Sequence, residues 1–568
     1  MRQDTSQPRF PGLRDATVER LPRTAFDVLV VGGGVNGAVS AAALSARGAR
    51  VALLERGDFA SATSQQSSNL VWGGIKYLES YELGLVRRLC RARNRLLRAY
   101  PSSVEEIRFY TTHTRGFRHG RLTLALGAWL YWVLGGCFTR RPRLLSRADM
   151  AAEEPALELA GVDGGFEYSD AHLPEGDARF VWGFVRAALD HGCAAANYVE
   201  VLGARREGEG WTATVRDRPN GRTLELRARV LVNACGPWAD RLNRATGVHT
   251  AHRHVFSKGI HLVVRRLVPG PRVLTFFADD GRLFFVTPLG GTTCIGTTDT
   301  PVEEPEVEVT PADRRFVLDN INKRLRLPHP LTEADIVAER CGVRPLVVDD
   351  PGDAPASSDP AGGGAGDWMQ LSRRHAIDVD PAARQVTVFG GKLTDCLNVG
   401  EEVCAEVARL GVALPEPGRC WYGEPPQAVR DGFLAQAARM GLDGDDPAAG
   451  RAARLWRRHG REALTVLEAI RRDPRGAEEL LPGYLRAELE LVARREMVVE
   501  LEDLLRRRTG LAQSLRPEEL LASPGLAELC AILFGERAEA RRAAWAATQA
   551  PAPAPSGAAD ARGRAPVC

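Results

Sequence analysis

Phe26-Asp27-Val28-Leu29-Val30-Val31 runs straight into Gly32-Gly33-Gly34-Val35-Asn36-Gly37, and a second apolar run, Val51-Ala52-Leu53-Leu54-Glu55, follows one helix length later. The pattern predicts a strand, a tight turn, a helix and a second strand closing on an acid. Gly32 permits the sharp turn, Gly34 lets the backbone approach a pyrophosphate, and Gly37 lets the helix pack closely on the sheet. The phosphates of a dinucleotide would then face the positive end of the helix beginning near Val35. Glu55 is placed to accept hydrogen bonds from an adenosine ribose. An acid at this position disfavours a 2′-phosphate, which leaves FAD or NAD.

Composition narrows the class. A chain of 568 residues with 44% hydrophobic and 26% charged residues is long enough for two or more domains with full cores. A formal charge of +3 over this length, with no basic stripe interleaved with aromatics, argues against nucleic acid as a partner. The eleven cysteines are scattered singly, with no metal-ligand spacing, so no metal is expected and a reducing compartment is. No run reaches the roughly 18 apolar residues of a membrane span, and the first 24 residues lack the apolar core of a signal peptide. The expectation is a cytoplasmic protein. Of 75 basic residues only four are lysines, Lys76, Lys258, Lys323 and Lys392, so each lysine invites a specific reason.

Along the chain, residues 1–24 read as a flexible segment and 25–425 as a cofactor domain interleaved with a sheet-based substrate domain. Residues 426–547 read as a helical domain without strands, including one helix from Glu488 to Arg507, and 548–568 as a disordered tail. Asp350–Asp367, rich in Pro, Gly and Ala, reads as a surface loop. Leu122–Gly136 carries Trp129, Tyr131 and Trp132 and is flanked by arginines at both ends. It fits either a segment lying in a membrane interface or a buried core helix.

Several segments together carry a resemblance. They are the first glycine motif, Ser67-Ser68-x-Leu70-x-x-Gly73-Gly74-x-x-Tyr77-Leu78-Glu79, Gly165-Phe166-Glu167-Tyr168-Ser169-Asp170 and Asn233–Trp238. Further on stand Lys258-Gly259-Ile260-His261, Ile295–Asp299, Gly342–Leu346, Ser372-Arg373 and Gly390–Thr394. Glu496-Met497 and Leu501–Thr509 complete the set. In order and spacing the chain resembles the FAD-dependent glycerol-3-phosphate dehydrogenases, within the wider D-amino-acid-oxidase-like flavoproteins.

The resemblance implies an α/β fold in which a Rossmann-like FAD domain is interleaved with a sheet-based substrate domain and followed by an all-helical carboxyl-terminal domain. It implies oxidation of sn-glycerol 3-phosphate to dihydroxyacetone phosphate by hydride transfer from C2 to flavin N5. Electrons would pass to quinone at the inner face of the cell membrane, through peripheral contact, or to oxygen in an oxidase branch. A homodimer is expected. His261, Arg344, Lys392 and Asp299 become catalytic candidates, and Lys76, Tyr77, Arg344 and Arg373 substrate-binding ones. FAD contacts are expected at Gly32, Gly34, Gly37, Glu55, Ser64, Ser67, Ser68, Gly73, Gly74, Val201, Gly236, Gly390, Gly391, Leu393 and Thr394. Cationic side chains suit a phosphate dianion, and a histidine suits removal of a hydroxyl proton.

Departures accompany the matches. Trp72 stands where the family offers a histidine, Lys76 where it has arginine, and Asp395-Cys396-Leu397 where it has Thr-Tyr-Arg. These leave room for another small phosphorylated or acidic alcohol as substrate. An NAD-dependent dehydrogenase and a flavin-binding protein without turnover are the rival classes.

Overall fold

The computed structural model describes residues 12–117, 119–350, 374–442 and 450–549. Arg373, the expected loop beyond Asp350 and the tail from residue 550 lie outside the described residues.

Two sheets carry the body, and the chain passes between them more than once. The first has a parallel centre ordered Gln385–Phe389, Arg222–Asn233, Ala25–Val31, Val51–Leu54 and Ala194–Ala196, edged by the antiparallel strand Ala376–Asp380. Its central strands are buried on both faces, which is why Val28–Val31 and Val230–Val232 read as unbroken apolar runs. Val39, Ala43 and Val403 cover one face from the helices Val35–Ala46 and Cys396–Arg409. Val199–Glu207 and Gly210–Asp217 extend the sheet as an antiparallel pair.

The second, ten-stranded sheet is built from 70–71, 105–172 and 252–349. Its long central pair, His252–Arg265 against Ile336–Asp349, runs antiparallel with Gly259 opposite Gly342 and His261 opposite Arg340. Because the first sheet draws its strands from three separated stretches, both sheets must be complete before either cavity described below exists.

From Gln427 onward the chain is mostly helical, with cores around Trp456 and Leu504. Three expectations need correction. A short hairpin, Glu479–Leu481 with Tyr484–Leu485, interrupts the helices. The helix expected from Glu488 to Arg507 ends at Arg495, because the Glu496 and Met497 carbonyls turn to accept from Arg508 Nε and Asn197 Nδ2. It resumes as a π-helical turn, Asp503–Arg508. The terminal helix Ala538–Gln549 also reaches past residue 547.

At the other end, Leu13–Arg20 is helical where a flexible segment is expected. Arg14, Val18 and Leu21 recur at helical spacing on one face. Val18 and Leu21 join the apolar cluster under the first sheet, and Arg14 forms a buried ion pair with Asp217. A polar composition hid this three-residue inner face.

Arg121–Leu134 is a surface helix with apolar residues on both its inner and its outer face, so it is not the fully buried core helix that was one of the two alternatives. Ala125, Ala128 and Tyr131 are buried, while Leu122, Leu126, Trp129, Leu130 and Val133 are exposed, Leu126 by 70%. No helix among the described residues is long and apolar enough to cross a membrane.

Candidate active site

The first β-α-β unit sets the cradle. Gly32 has φ +101°, and a Cβ there would meet the Ala234 carbonyl at 2.5 Å. Gly37 lies so close to the strand that a Cβ would fall 1.8 Å from the Gly32 oxygen, so the helix can pack here only with glycine. Ser64 Oγ accepts from the Val35 amide at 3.0 Å, marking the helix start as a seat for an oxygen ligand. Both carboxylate oxygens of Glu55 brace backbone amides, Gly33 at 2.7 Å and Gly57 at 2.8 Å. Burial pushes the Glu55 carboxyl upward, and these two hydrogen bonds oppose it.

Two cavities lie end to end. One, of about 280 Å³, runs past Gly32, Gly34, Glu55, Ser64, Gly236 and Gly390. The other, of about 290 Å³, is walled by Ser67, Ser68, Trp72, His261, Arg344 and Lys392, with Leu393 and Thr394 beside them. They share Val35, Thr63, Ser64, Pro345 and Gly391. An extended slot with a glycine cradle at one end and cations at the other suits a dinucleotide whose ring abuts a small anionic substrate.

At the second chamber His261 is buried, and Nδ1 makes no hydrogen bond among the described residues. Burial, then the charges of Arg340 and Arg344, push the imidazole down to about 3. Arg344 is held by the Thr298 carbonyl at 3.1 Å, Asp299 at 3.3 Å and Thr297 Oγ1 at 2.8 Å. Asp299 also accepts from Ser257 Oγ, so it steadies Arg344 and does not itself line the cavity. Lys392 Nζ sits 4.3 Å from the Tyr77 ring centroid and 5.1 Å from that of Trp72. Thr394 Oγ1 donates to the Trp72 carbonyl.

Other expected residues stand further off. Gly73 and Gly74 lie behind the wall, where the Gly73 amide donates to Asp170, itself held by Tyr131 and Arg93. Lys76 is on the next turn, Ile75–Leu78, outside both cavities. Val201 is buried in the apolar cluster with Trp211 and Val215 and lines neither cavity, since its side chain points into the core of the sheet. Lys258 is spent on an ion pair with Asp313 at 2.6 Å, which accounts for one of the four lysines without a ligand.

The sequence reading missed several contributors. Asn36, a variable position of the glycine motif, donates from Nδ2 to the Gly390 carbonyl at 3.0 Å. Its buried Oδ1 is unsatisfied and within reach of the Gly391 region. His375 bridges Asp395 at 3.0 Å and Glu402 at 2.9 Å, fixing the turn after Lys392. From the helical domain, Arg508 grips both oxygens of buried Asp58 at 2.8 Å, and Arg507 joins it at 2.6 Å. An x in a motif and an isolated Asp after a strand carry no signal until their partners are known.

Residues 27–369 match the family described as FAD dependent oxidoreductase, and residues 433–541 match the C-terminal domain of alpha-glycerophosphate oxidase. The chain is 32% identical over 541 residues to glycerol-3-phosphate dehydrogenase 2 of Mycobacterium tuberculosis, covering 92% of this chain and 88% of that one. This chain belongs to the FAD-dependent glycerol-3-phosphate dehydrogenase family. It is also 32% identical over 409 residues to D-erythritol 1-phosphate dehydrogenase of Brucella abortus, covering 70% of this chain and 76% of that one. The fold matches the glycerol-3-phosphate dehydrogenase of Bacillus halodurans complexed with FAD, with a TM-score of 0.70 at 23% identity over 95% of this chain and 97% of that one.

The cofactor of this family member is FAD. The residues present fit it: the glycine cradle, the unsatisfied Asn36 oxygen and the two joined chambers are features a dinucleotide would complete. The family match, and not the cradle alone, sets the NAD reading aside.

Proposed function

We propose that this protein oxidises the secondary alcohol of sn-glycerol 3-phosphate to dihydroxyacetone phosphate, with quinone as the final electron acceptor. The observation that carries this reading is the meeting of a neutral histidine, a fixed arginine and a lysine on one wall of the second chamber. Arg344 offers its guanidinium to the phosphate dianion in a geometry already set by three acceptors. Lys392 adds a second charge from between two aromatic faces. With Nδ1 sequestered from the cavity, Nε2 of His261 is the ring nitrogen left to take the hydroxyl proton, in the tautomer protonated on Nδ1. Bound FAD supplies the hydride acceptor at N5. Trp72 and Phe285, which line the same chamber, keep water from the reacting carbon.

The deciding experiment is anaerobic flavin bleaching against a panel of phosphorylated alcohols. Rapid bleaching by sn-glycerol 3-phosphate supports the reading, and none with any phosphorylated alcohol sinks it. The Brucella relative favours one further candidate, a longer polyol phosphate, so erythritol 1-phosphate belongs in the panel. Comparing reoxidation by a soluble quinone and by oxygen tests the acceptor.

Delivery to quinone requires a lipid surface. The outward face of Arg121–Leu134, with exposed Trp129 and with Arg140 and Arg141 nearby, suits an anionic bilayer interface. This supports peripheral attachment at the cytoplasmic face. Flotation with anionic liposomes should be lost when Trp129 and Leu126 are both replaced by Ser. Failure of the unaltered protein to float would remove the membrane from the proposal. A homodimer belongs to the same reading, and light scattering tests it.

A further inference from the structure

A third cavity of about 390 Å³ lies at the seam between the helical domain and the body, on the far side of the Ser67–Leu70 segment from the candidate active site. Six arginines line it against two acids, and both acids are already engaged. Glu175 pairs with Arg458 at 2.7 Å and also with Arg457, while Asp177 accepts from the Ser67 and Ala178 amides. Most of the arginines have carboxylate partners elsewhere, including Arg507 with Asp58 and Arg179 with Glu496.

Arg506 differs. It is 8% exposed, and among the described residues its hydrogen bonds run only from Nη2, to the Gln65 carbonyl and to Gln66 Oε1 at 3.0 Å. Nε and Nη1 make no hydrogen bond among the described residues, and no carboxylate there lies at ion-pair distance from this guanidinium. Arg340, 1% exposed, is its near neighbour in charge. It too has only neutral partners, the Ser67 carbonyl, Asn69 Oδ1 and Gln513 Oε1, and its Nε is unsatisfied.

A guanidinium does not give up its proton at ordinary pH, so two of them buried side by side leave positive charge at the seam that only Asp177 and Glu502, acting from beyond ion-pair distance, offset in part. Burial and then Arg340 push Arg506 down to about 10, which still leaves it charged. The same cavity meets the start of the helix Asp177–Asp190, whose N-cap is Gly176 with no side-chain cap.

We propose that this seam is a binding site for a phosphate-type oxyanion, free or carried on a small metabolite, held chiefly by Arg506. The occupant would join the helical domain to the Gln65–Ser68 segment, whose other side walls the candidate active site. The site is separate from the substrate chamber, because Arg344, Lys392 and His261 line only the latter.

The test is a melting series on the FAD-loaded protein with inorganic phosphate replacing chloride at constant ionic strength. The unaltered protein should gain on the order of 2–4 °C at saturation. Arg344→Ala, which disables the substrate chamber, should keep that gain. Arg506→Met should lose it and melt higher than the parent in phosphate-free buffer, because a neutral side chain removes the buried charge. If Arg344→Ala abolishes the response, or Arg506→Met retains it, the anion binds elsewhere and the proposal is overturned. Hydrogen exchange over residues 503–515 of the unaltered protein reads the site without substitution: slowing by phosphate supports it and no slowing refutes it. In Arg344→Ala, a glycerol phosphate that outperforms inorganic phosphate assigns a metabolite, and equal responses assign the free anion.

Discussion

The guanidinium of Arg344 lies directly over Gly259 on the neighbouring strand, so that a Cβ at position 259 would meet Nη2 at 2.2 Å and Cζ at 2.4 Å. The glycine of the Lys-Gly-x-His segment is therefore a space requirement of the arginine. It leaves a hollow in the sheet into which the cation is laid flat, two residues from His261.

Gly259→Ala should displace Arg344 and raise KM for the phosphorylated substrate by about tenfold or more, in line with losing a charge-assisted contact of roughly 1.5–3 kcal/mol. FAD content should stay unchanged, because Gly259 does not line the first chamber. Steady-state kinetics with the flavin absorbance ratio check both halves. An unchanged KM would show that Arg344 does not hold the phosphate.

The pH profile should lack an ordinary histidine limb. His261, pushed down to about 3 by burial and by Arg340 and Arg344, stays neutral throughout the working range. Its folded value lies below the unfolded one, so stability linked to it is present above about 6.5 and is lost as pH falls toward 3. kcat measured with saturating substrate between pH 5 and 8 should show no step near 6.5. A step there that disappears in His261→Asn would contradict a buried neutral imidazole.

His375 has the opposite sign. Burial alone would lower it, but hydrogen bonds to Asp395 and Glu402 outweigh that and raise it to about 9. Its contribution to stability is full below about 6.5 and is lost as pH rises through 9. Melting temperature and FAD retention should therefore decline between pH 7 and 10. His375→Gln should start lower at pH 7 and flatten that decline, and an equally steep decline in the variant would move the cause elsewhere.

FAD should be held without a covalent bond. Trp72 occupies the position where the family motif offers histidine, and its indole Nε1 donates toward Tyr168 Oη at 3.4 Å. An indole supplies no nucleophilic nitrogen for a flavin link. Acid precipitation should leave the yellow colour in the supernatant; colour in the pellet would defeat the prediction.

How much was legible in the sequence depended on whether the information was local. The glycine turn, the Gly236 corner and the Gly390-Gly391 turn are backbone requirements written in a few adjacent residues, and the structure brings all three onto one slot. His261, Arg344 and Lys392 were readable as candidates only through the resemblance, since nothing near them in sequence reports that they share a wall. Val201, expected as an FAD contact from the resemblance, has its side chain in the core of the sheet and lines neither chamber. Asn36, His375 and Arg506 were missed because each owes its role to a residue more than 15 positions away, or to the lack of an acid. Tyr131 shows the same limit. Its helix looked either interfacial or buried, and the structure gives it an inner face that steadies Asp170 and an outer face left to solvent.

The grip of Arg508 on Asp58 spans 450 residues of chain. At a synthesis rate of about 5–20 residues per second, an interval of roughly 20–90 s separates the emergence of the aspartate from that of its counter-ion. During that interval the first β-α-β unit, though complete in sequence, carries a carboxylate with no cation to bury it. The nascent cofactor cradle must keep this corner wet. Closure then waits for the stretch around Arg508 to leave the ribosome, so a message cut short before it should yield a flavin domain that is open and aggregation-prone, with nothing to seal it.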